Sequence, residues 1–237
     1  MLAVIGGSGF YSLGKLVDKI DVITPYGHTT VHKVKIIKHE IFFIPRHGEN
    51  HDTPPHMVNY RANIYALKKL GVKKVILSYA AGGIKYKPKD IVLIDDFIGL
   101  FTPITFYDSF ANGMKHYDFT HPFDNKLQEL TLRSAKKAKI PLKKGGIMVT
   151  TVGPRLETKA EIRALKKMGA NLVNMTSAYE ISLCREVELQ SVAIASVVNY
   201  ACGVTKKEIT TEEIMENLKQ CSEKTNKIIF NLIQLIS

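Results

Sequence analysis

Val75-Ile76-Leu77-Ser78-Tyr79-Ala80-Ala81-Gly82-Gly83 is an apolar run that passes into small residues. Its first part reads as a buried strand, and Ala80 to Gly83 as the turn that ends it. Just upstream, Val58 to Leu70 reads as a helix, with apolar residues at Ile64, Leu67 and Leu70 and Gly71 as its stop. The alternation repeats outward in both directions. On the N-terminal side, Ala3-Val4-Ile5 leads into Gly6-Gly7-Ser8-Gly9, and Val31 to Ile37 and Ile41 to Ile44 read as strands. On the C-terminal side, Ile91 to Ile94 reads as a strand, Phe123 to Ala138 as a helix and Gly146 to Thr151 as extended chain. Thr158 to Met168 reads as a helix stopped by Gly169, Leu172 to Met175 as a strand and Tyr179 to Glu188 as a helix. Val192 to Val198 reads as a fully buried strand, and Thr211 to Leu235 as a long amphipathic helix. Strands and helices in turn predict one α/β domain over residues 1–237, a mixed central sheet flanked by helices. Phe101 to Pro122 shows no periodicity, and long irregular stretches inside a compact domain are often functional.

The bulk composition bounds the function. The chain has 237 residues, 45% of them hydrophobic, enough for one sizeable core. Lys and Arg number 33 against 22 Asp and Glu, a net charge of +11 that suits an anionic partner. The basic residues fall in pairs, among them Lys68-Lys69, Lys136-Lys137 and Lys166-Lys167, which reads mostly as solvated helix faces. No aromatic-rich RNA motif accompanies them, so no nucleic-acid partner is expected. Cys184, Cys202 and Cys221 form no CxxC pair and are odd in number, which indicates neither a disulfide framework nor a zinc site. The start, MLAVIGGSGF, lacks a charged leader and reads as a first strand rather than a signal peptide. No stretch approaches eighteen apolar residues, so no membrane span is expected and the predicted location is the cytoplasm.

Polar residues gather at the predicted strand ends. The glycines of Gly6-Gly7-Ser8-Gly9 let backbone N–H groups approach an anion, and Ser8 adds a hydroxyl. The run is neither a dinucleotide fingerprint, since Ser12 stands where the last glycine belongs, nor a Walker loop. An ordinary tight turn and an anion loop both fit it. Phe43-Ile44-Pro45-Arg46-His47-Gly48-Glu49 delivers a guanidinium and an imidazole to one spot, and arginine is the preferred fork for phosphate oxygens. Arg-His-Gly also resembles the motif of histidine phosphatases, in which His47 would be a nucleophile. There, however, the motif follows the first strand. Thr150-Thr151, Asn174-Met175-Thr176 and Val198-Asn199 end three further strands, and ligands of open α/β sheets bind at such ends. Glu180 reads either as a first-turn helix acid or as a buried acceptor for ribose hydroxyls.

Taken together these stretches resemble the trimeric purine nucleoside phosphorylase and methylthioadenosine phosphorylase family. The matching segments are Gly-Gly-Ser-Gly, Pro45-Arg46-His47-Gly48, Val58 to Ile64, Ala80 to Gly83, Gly153 to Thr158 and Asn174-Met175-Thr176, in order along nearly the whole chain. The resemblance implies the nucleoside phosphorylase fold and attack of inorganic phosphate on the anomeric carbon of a purine nucleoside. It implies no metal or organic cofactor, phosphate being a co-substrate. Ser8, Arg46, His47, the Ala80 N–H and Thr176 would bind phosphate, and Met175 would lie under the ribose with Leu156 among the substrate contacts. Tyr79 stands where methylthioadenosine phosphorylases carry a threonine beside the phosphate, so its phenol is expected either to crowd or to redirect that contact. A homotrimer or homohexamer is implied, with His116 lent by a neighbouring subunit.

The base pocket discriminates. Family members acting on 6-oxopurines carry a glutamate and an asparagine where this chain has Glu157 and Asn199. Members acting on 6-aminopurines have Ser-Ser and aspartate, with a second aspartate where this chain has Ala201. A keto purine offers an N1–H donor to Glu157 and an O6 acceptor to the Asn199 amide, while adenine reverses both. Thr211 replaces the histidine that binds a 5′-hydroxyl, and Thr211, Ile214 and Met215 would form an apolar wall suited to a methylthio group. The expectation is therefore an enzyme of S-methyl-5′-thioinosine, with inosine and guanosine slower. Catalysis would rest on Asn199, Glu157 and His47. A methylthioadenosine phosphorylase is the nearest alternative, and a histidine phosphatase a more distant one.

Overall fold

Residue alternation in the strands sorts the core onto two faces of a sheet. The computed structural model describes residues 1–9, 13–111 and 113–236; Ser12 lies outside them. The first strands are β1 (Leu2–Gly6), β2 (Lys15–Thr24), β3 (Gly27–Ile36) and β4 (His39–Pro45). Then come α1 (Tyr60–Lys69), β5 (Lys74–Gly83), β6 (Ile91–Ile98), α2 (Asn125–Lys137) and β7 (Leu142–Thr150). The chain ends with α3 (Lys159–Lys167), β8 (Leu172–Asn174), α4 (Ser177–Glu186), β9 (Gln190–Tyr200) and α5 (Thr211–Ile236). Ala3, Ile5, Phe42, Ile44, Val75 and Leu77 pack with Ile64 and Leu67 of α1 and Ile181 of α4. Leu2, Val4, Ile41, Phe43 and Ile76 pack on the other side with Leu127 of α2 and Ile228, Ile229 and Leu232 of α5. Odd and even positions thus point to opposite layers, as the strand period of two requires. The result is an α/β fold with a mixed central sheet flanked by helices, as the sequence predicts.

The sheet runs β2-β3-β4-β1-β5-β8-β7-β6-β9, and β9 also pairs with β5. Five strands therefore close on themselves, with β5 as the hinge between the closed part and the open wing. β5 pairs with β1 in parallel as far as Gly6↔Ser78. On the same edge it meets β8, antiparallel, only from Gly82↔Val173. Between those points, among the described residues, Tyr79 to Ala81 have no strand beside them on that edge. This gap is where the sheet opens to a ligand.

The structure corrects two readings. Ala80 to Gly83 is not a turn: it continues β5, paired with β9 up to Gly83↔Tyr200. Small residues serve close packing there rather than chain reversal. β2 has no counterpart among the expected strands. It is an edge strand, mostly exposed, with Lys15, Asp18, Lys19 and Asp21 along it. Charge on an edge blocks strand addition and also hides the apolar signal. The remaining elements match the expected ones, with ends shifted by a few residues. The described residues among 99–124 form no helix or strand, and no described helix is long and apolar enough to cross a membrane.

Gly83 shows how tight the β5 end is. A Cβ there would overlap the Tyr86 carbonyl oxygen and press on Val197. Gly83→Ala is expected to lower stability by about 1–3 kcal/mol, as overpacking of a closed core does, read as a shifted midpoint in urea unfolding.

Candidate active site

The gap beside β5 opens into a cavity of about 570 Å³, a size suited to a small ligand. β1 and β4 deliver Ser8, Arg46 and His47 to one end of it. β5 contributes Ala80, and the turn after β8 contributes Met175 and Thr176. Leu156 and Glu157, before α3, and Asn199, near the end of β9, line the other end, with Ile214 of α5. The fold thus brings together ten of the residues expected from sequence. Thr211, Met215 and His116 are not in this chain's cavity. Met215 follows Ile214 and is 57% exposed, since one residue along a helix turns the side chain by about 100°. Thr211 is exposed at the first position of α5, and His116 is exposed in the irregular segment, its ring 6.1 Å from that of Phe110. The structure adds residues that no periodicity marks. His51 to Pro55, in the loop after β4, wall the cavity, and Ile209 joins Ile214. Tyr60 Oη donates to the Pro55 carbonyl at 2.7 Å, so α1 holds that loop.

Arg46 is locked before any ligand arrives. Its Nε donates to Glu180 Oε1 at 2.6 Å and its Nη2 to Glu180 Oε2 at 2.7 Å. Nη1 donates to the Ser78 carbonyl at 3.1 Å. Three of the five guanidinium protons are thereby used. Both side chains of the pair are 1% exposed. Arg46 continues the Phe42, Ile44 alternation, and Tyr79 continues Val75, Leu77, so both reach the face of α1 and α4. The Tyr79 ring lies 4.6 Å under the guanidinium carbon, and its hydroxyl donates to Glu180 Oε2 at 2.8 Å. Of the two readings of Glu180, the first-turn helix acid holds: it lies in the first turn of α4 and pairs there with Arg46. Tyr79 turns away from the cavity, because strand alternation sends it to the opposite layer from Ala80. A Cβ on Gly7 would collide with Arg46 Nη1, so the glycine turn packs directly on the guanidinium.

His47 is the second basic group at this end. Its Nδ1 donates to the Thr53 carbonyl at 2.9 Å. Burial, then the neighbouring Arg46 charge, pulls its pKa down to about 4, so the ring is neutral at pH 7. Ser8 Oγ lies 3.3 Å from His51 Nε2, and the His51 ring stands edge-on to His47 at 4.9 Å. This end thus presents directed N–H and O–H groups rather than a net positive charge.

The other end is built for hydrogen bonding. Glu157 is 7% exposed, and Asn199 is 6% exposed. Thr151 Oγ1 donates to Glu157 Oε1 at 2.5 Å. Asn199 Nδ2 donates to the Tyr200 carbonyl at 2.8 Å, which leaves its second amide proton and its oxygen. Asn217 of α5 donates to the Val198 carbonyl at 2.8 Å and so pins the strand end that carries Asn199. Thr158 and Glu161 form a capping box at the start of α3, fixing the backbone next to Glu157. Cys202 lines the cavity near Glu157, and burial raises its thiol pKa. Among the described residues no group of three or more His, Cys, Asp or Glu side chains is placed to hold a metal ion.

Known proteins share this sequence pattern and this fold. The profile of the Phosphorylase superfamily matches residues 1–234. A probable S-methyl-5′-thioinosine phosphorylase of Methanopyrus kandleri is 39% identical, covering 99% of this chain and 92% of its own. An S-methyl-5′-thioadenosine phosphorylase of Thermofilum pendens is 38% identical over the same shares. The structure of a methylthioadenosine phosphorylase from Schistosoma mansoni with adenine superposes with a TM-score of 0.91 at 29% identity, covering 99% of this chain and 91% of that one. The match places Arg-His-Gly in this superfamily, so the reading of His47 as a phosphatase nucleophile is set aside.

Two outcomes follow from the locked pair and the neutral ring. Glu180→Ala strands a buried guanidinium and is expected to cost about 3–5 kcal/mol in urea unfolding. His47 is expected to titrate near pH 4 by NMR, below its ordinary 6.5. As pH falls through that window the unfolded chain takes the proton first, so stability declines from 6.5 towards 4. His47→Asn should flatten that decline.

Proposed function

The chain belongs to the phosphorylase superfamily as an enzyme of its nucleoside phosphorylase family, and within it we propose a 6-oxopurine nucleoside as its substrate. The coarse chemistry is phosphorolysis of a purine nucleoside by inorganic phosphate. The finer reading rests on one observation: Glu157 and Asn199, an acceptor and an amide, share the cavity end opposite Arg46 and His47. Glu157 accepts from N1–H of the keto purine. The free Asn199 N–H donates to O6, and its oxygen accepts from N7–H. The Tyr200 carbonyl already holds the other amide proton, so every polar atom of Asn199 has a partner in this complex.

Phosphate sits at the opposite end, against the two spare protons of Arg46, with Ser8, His47, the Ala80 N–H and Thr176 around it. The ribose lies over Met175 between them. As the glycosidic bond lengthens, the sugar gains positive charge and electrons flow into the purine. Asn199 holds the N7-protonated leaving base, and the positioned phosphate stabilises the cation and then attacks C1′. The products are hypoxanthine or guanine and a pentose 1-phosphate. Ile209 and Ile214 give the cavity an apolar side, which favours a 5′-methylthio group over a hydroxyl and supports S-methyl-5′-thioinosine over inosine and guanosine. In this reading His116 enters from a neighbouring copy in a homotrimer or homohexamer, since it lies outside its own chain's cavity.

Relatives about equally similar act, by name, on methylthioinosine or on methylthioadenosine. A substrate panel with and without phosphate decides between them. Hypoxanthine is expected to be released from the methylthionucleoside about 100-fold more efficiently than adenine, from two reversed contacts of about 1–3 kcal/mol each. Faster adenine release would assign the enzyme to the 6-amino class. Asn199→Asp should move the preference towards adenine; hypoxanthine release unaltered in that variant would show that Asn199 does not read the base.

A further inference from the structure

Thr151 is the first residue beyond β7, and the sheet still governs it. Its N–H donates to the Asn174 carbonyl at 2.9 Å. This extends the β7–β8 pairing one residue past Thr150↔Asn174. The hydroxyl then has a single proton and two acceptors in reach. Glu157 Oε1 lies at 2.5 Å and the Asn174 carbonyl at 3.3 Å. The shorter contact is charge-assisted, and the longer one lies beyond the usual range for O–H···O, so the proton goes to the carboxylate. Among the described residues no other side chain donates to Glu157. On the chain side, Arg155 pairs with Glu161 through both terminal nitrogens, at 2.8 and 2.7 Å, and the capping box holds Thr158. The Glu157 backbone is therefore fixed by α3, while the direction of its carboxylate is fixed by Thr151 alone.

We propose that Thr151 is a positioning residue that sets base specificity, holding Glu157 so that its second oxygen faces the purine edge. The proposal rests on the reading of Glu157 as a base contact. A hydroxyl that already donates to Oε1 favours Glu157 as an acceptor towards the ligand. Without that donor, the carboxylate is freed to turn within the cavity and the purine loses a placed partner. The role belongs to the hydroxyl and not to the shape of the side chain, so valine and serine separate the two.

The test measures kcat/KM for matched hypoxanthine and adenine nucleosides, at saturating phosphate, in wild type, Thr151→Val and Thr151→Ser. The valine variant should lower the hypoxanthine-to-adenine ratio by about 10-fold or more, the scale of one lost charge-assisted hydrogen bond. Serine should keep the ratio near that of wild type, and KM for phosphate should stay unchanged in both. In a Glu157→Ala background, adding Thr151→Val should leave the ratio where Glu157→Ala alone puts it. An unchanged ratio in a folded Thr151→Val enzyme overturns the proposal, as does an equal fall in the Glu157→Ala background. Thr151→Ala gives the same comparison where the valine variant does not fold. The wild-type ratio stands apart: a preference for adenine overturns the keto-purine reading, whereas the change in ratio still judges Thr151.

Discussion

The buried pair of Arg46 and Glu180 is the contact on which the cavity's architecture depends. It ties the end of β4 to the first turn of α4 and, through Tyr79 and the Ser78 carbonyl, to the edge of β5. Desolvating two charges is costly, and an apolar replacement is often as stable. Stability alone therefore explains the pair poorly. Its geometry explains it better. A bidentate carboxylate fixes the guanidinium plane, a tyrosine ring supports its face, and the glycine turn packs against Nη1. What remains is two N–H groups held in fixed directions where β1 and β4 end beside β5. A guanidinium on a free side chain would lose rotamer entropy on binding; this one has already lost it in folding.

The same arrangement sets the electrostatics. Arg46 is neutralised by Glu180, and His47 is half-buried and uncharged at neutral pH. The net +11 of the chain is spread elsewhere, over helix faces and loops. That surplus acts as long-range steering for anions and is weakened by salt. The cavity itself offers oriented donors instead, and such donors gain strength as water is excluded. The β5 edge contributes to this by a topological route. Along β5 the pairing with β1 stops at Ser78 and that with β8 starts at Gly82, so the backbone between them is open to the cavity.

Much of this was legible in the sequence, for reasons that differ by element. Buried strands such as β1, β4 and β9 announce themselves by apolar runs, and α3 by its capping box and glycine stop. The ends of those strands carried Ser8, Arg46, His47 and Asn199, four of the residues that the cavity collects. β2 was invisible because charged edge strands lack the apolar run that the reading relies on. Ala80 to Gly83 looked like a turn because small residues signal both reversal and close packing, and only the neighbouring strand decides which. Tyr79 and the partner of Glu180 were out of reach for a related reason. The Tyr79 role depends on which layer a strand position faces, and the Glu180 pairing on Arg46 reaching that same layer; both follow from register across the sheet. The loop from His51 to Pro55 has no periodicity at all, so only the folded chain shows that Tyr60 brings it to the cavity.

Fold similarity does not reach the question of which purine is bound. Relatives named for methylthioinosine and for methylthioadenosine match this chain at 39% and 38% identity over nearly its full length. The same strands and the same cavity therefore serve both, and the distinction must lie in a few polar atoms. Two such atoms reversed in sense shift a preference by roughly two orders of magnitude, while leaving the sheet, core and phosphate end untouched. Such small energies are effective only if the groups cannot swing to accommodate the wrong base. In this chain Asn199 is held through the Tyr200 carbonyl and by Asn217 of α5, which donates to the neighbouring Val198 carbonyl, and Glu157 through α3 and Thr151. Selectivity by hydrogen bonding is thus inseparable from the supports behind the residues that touch the base.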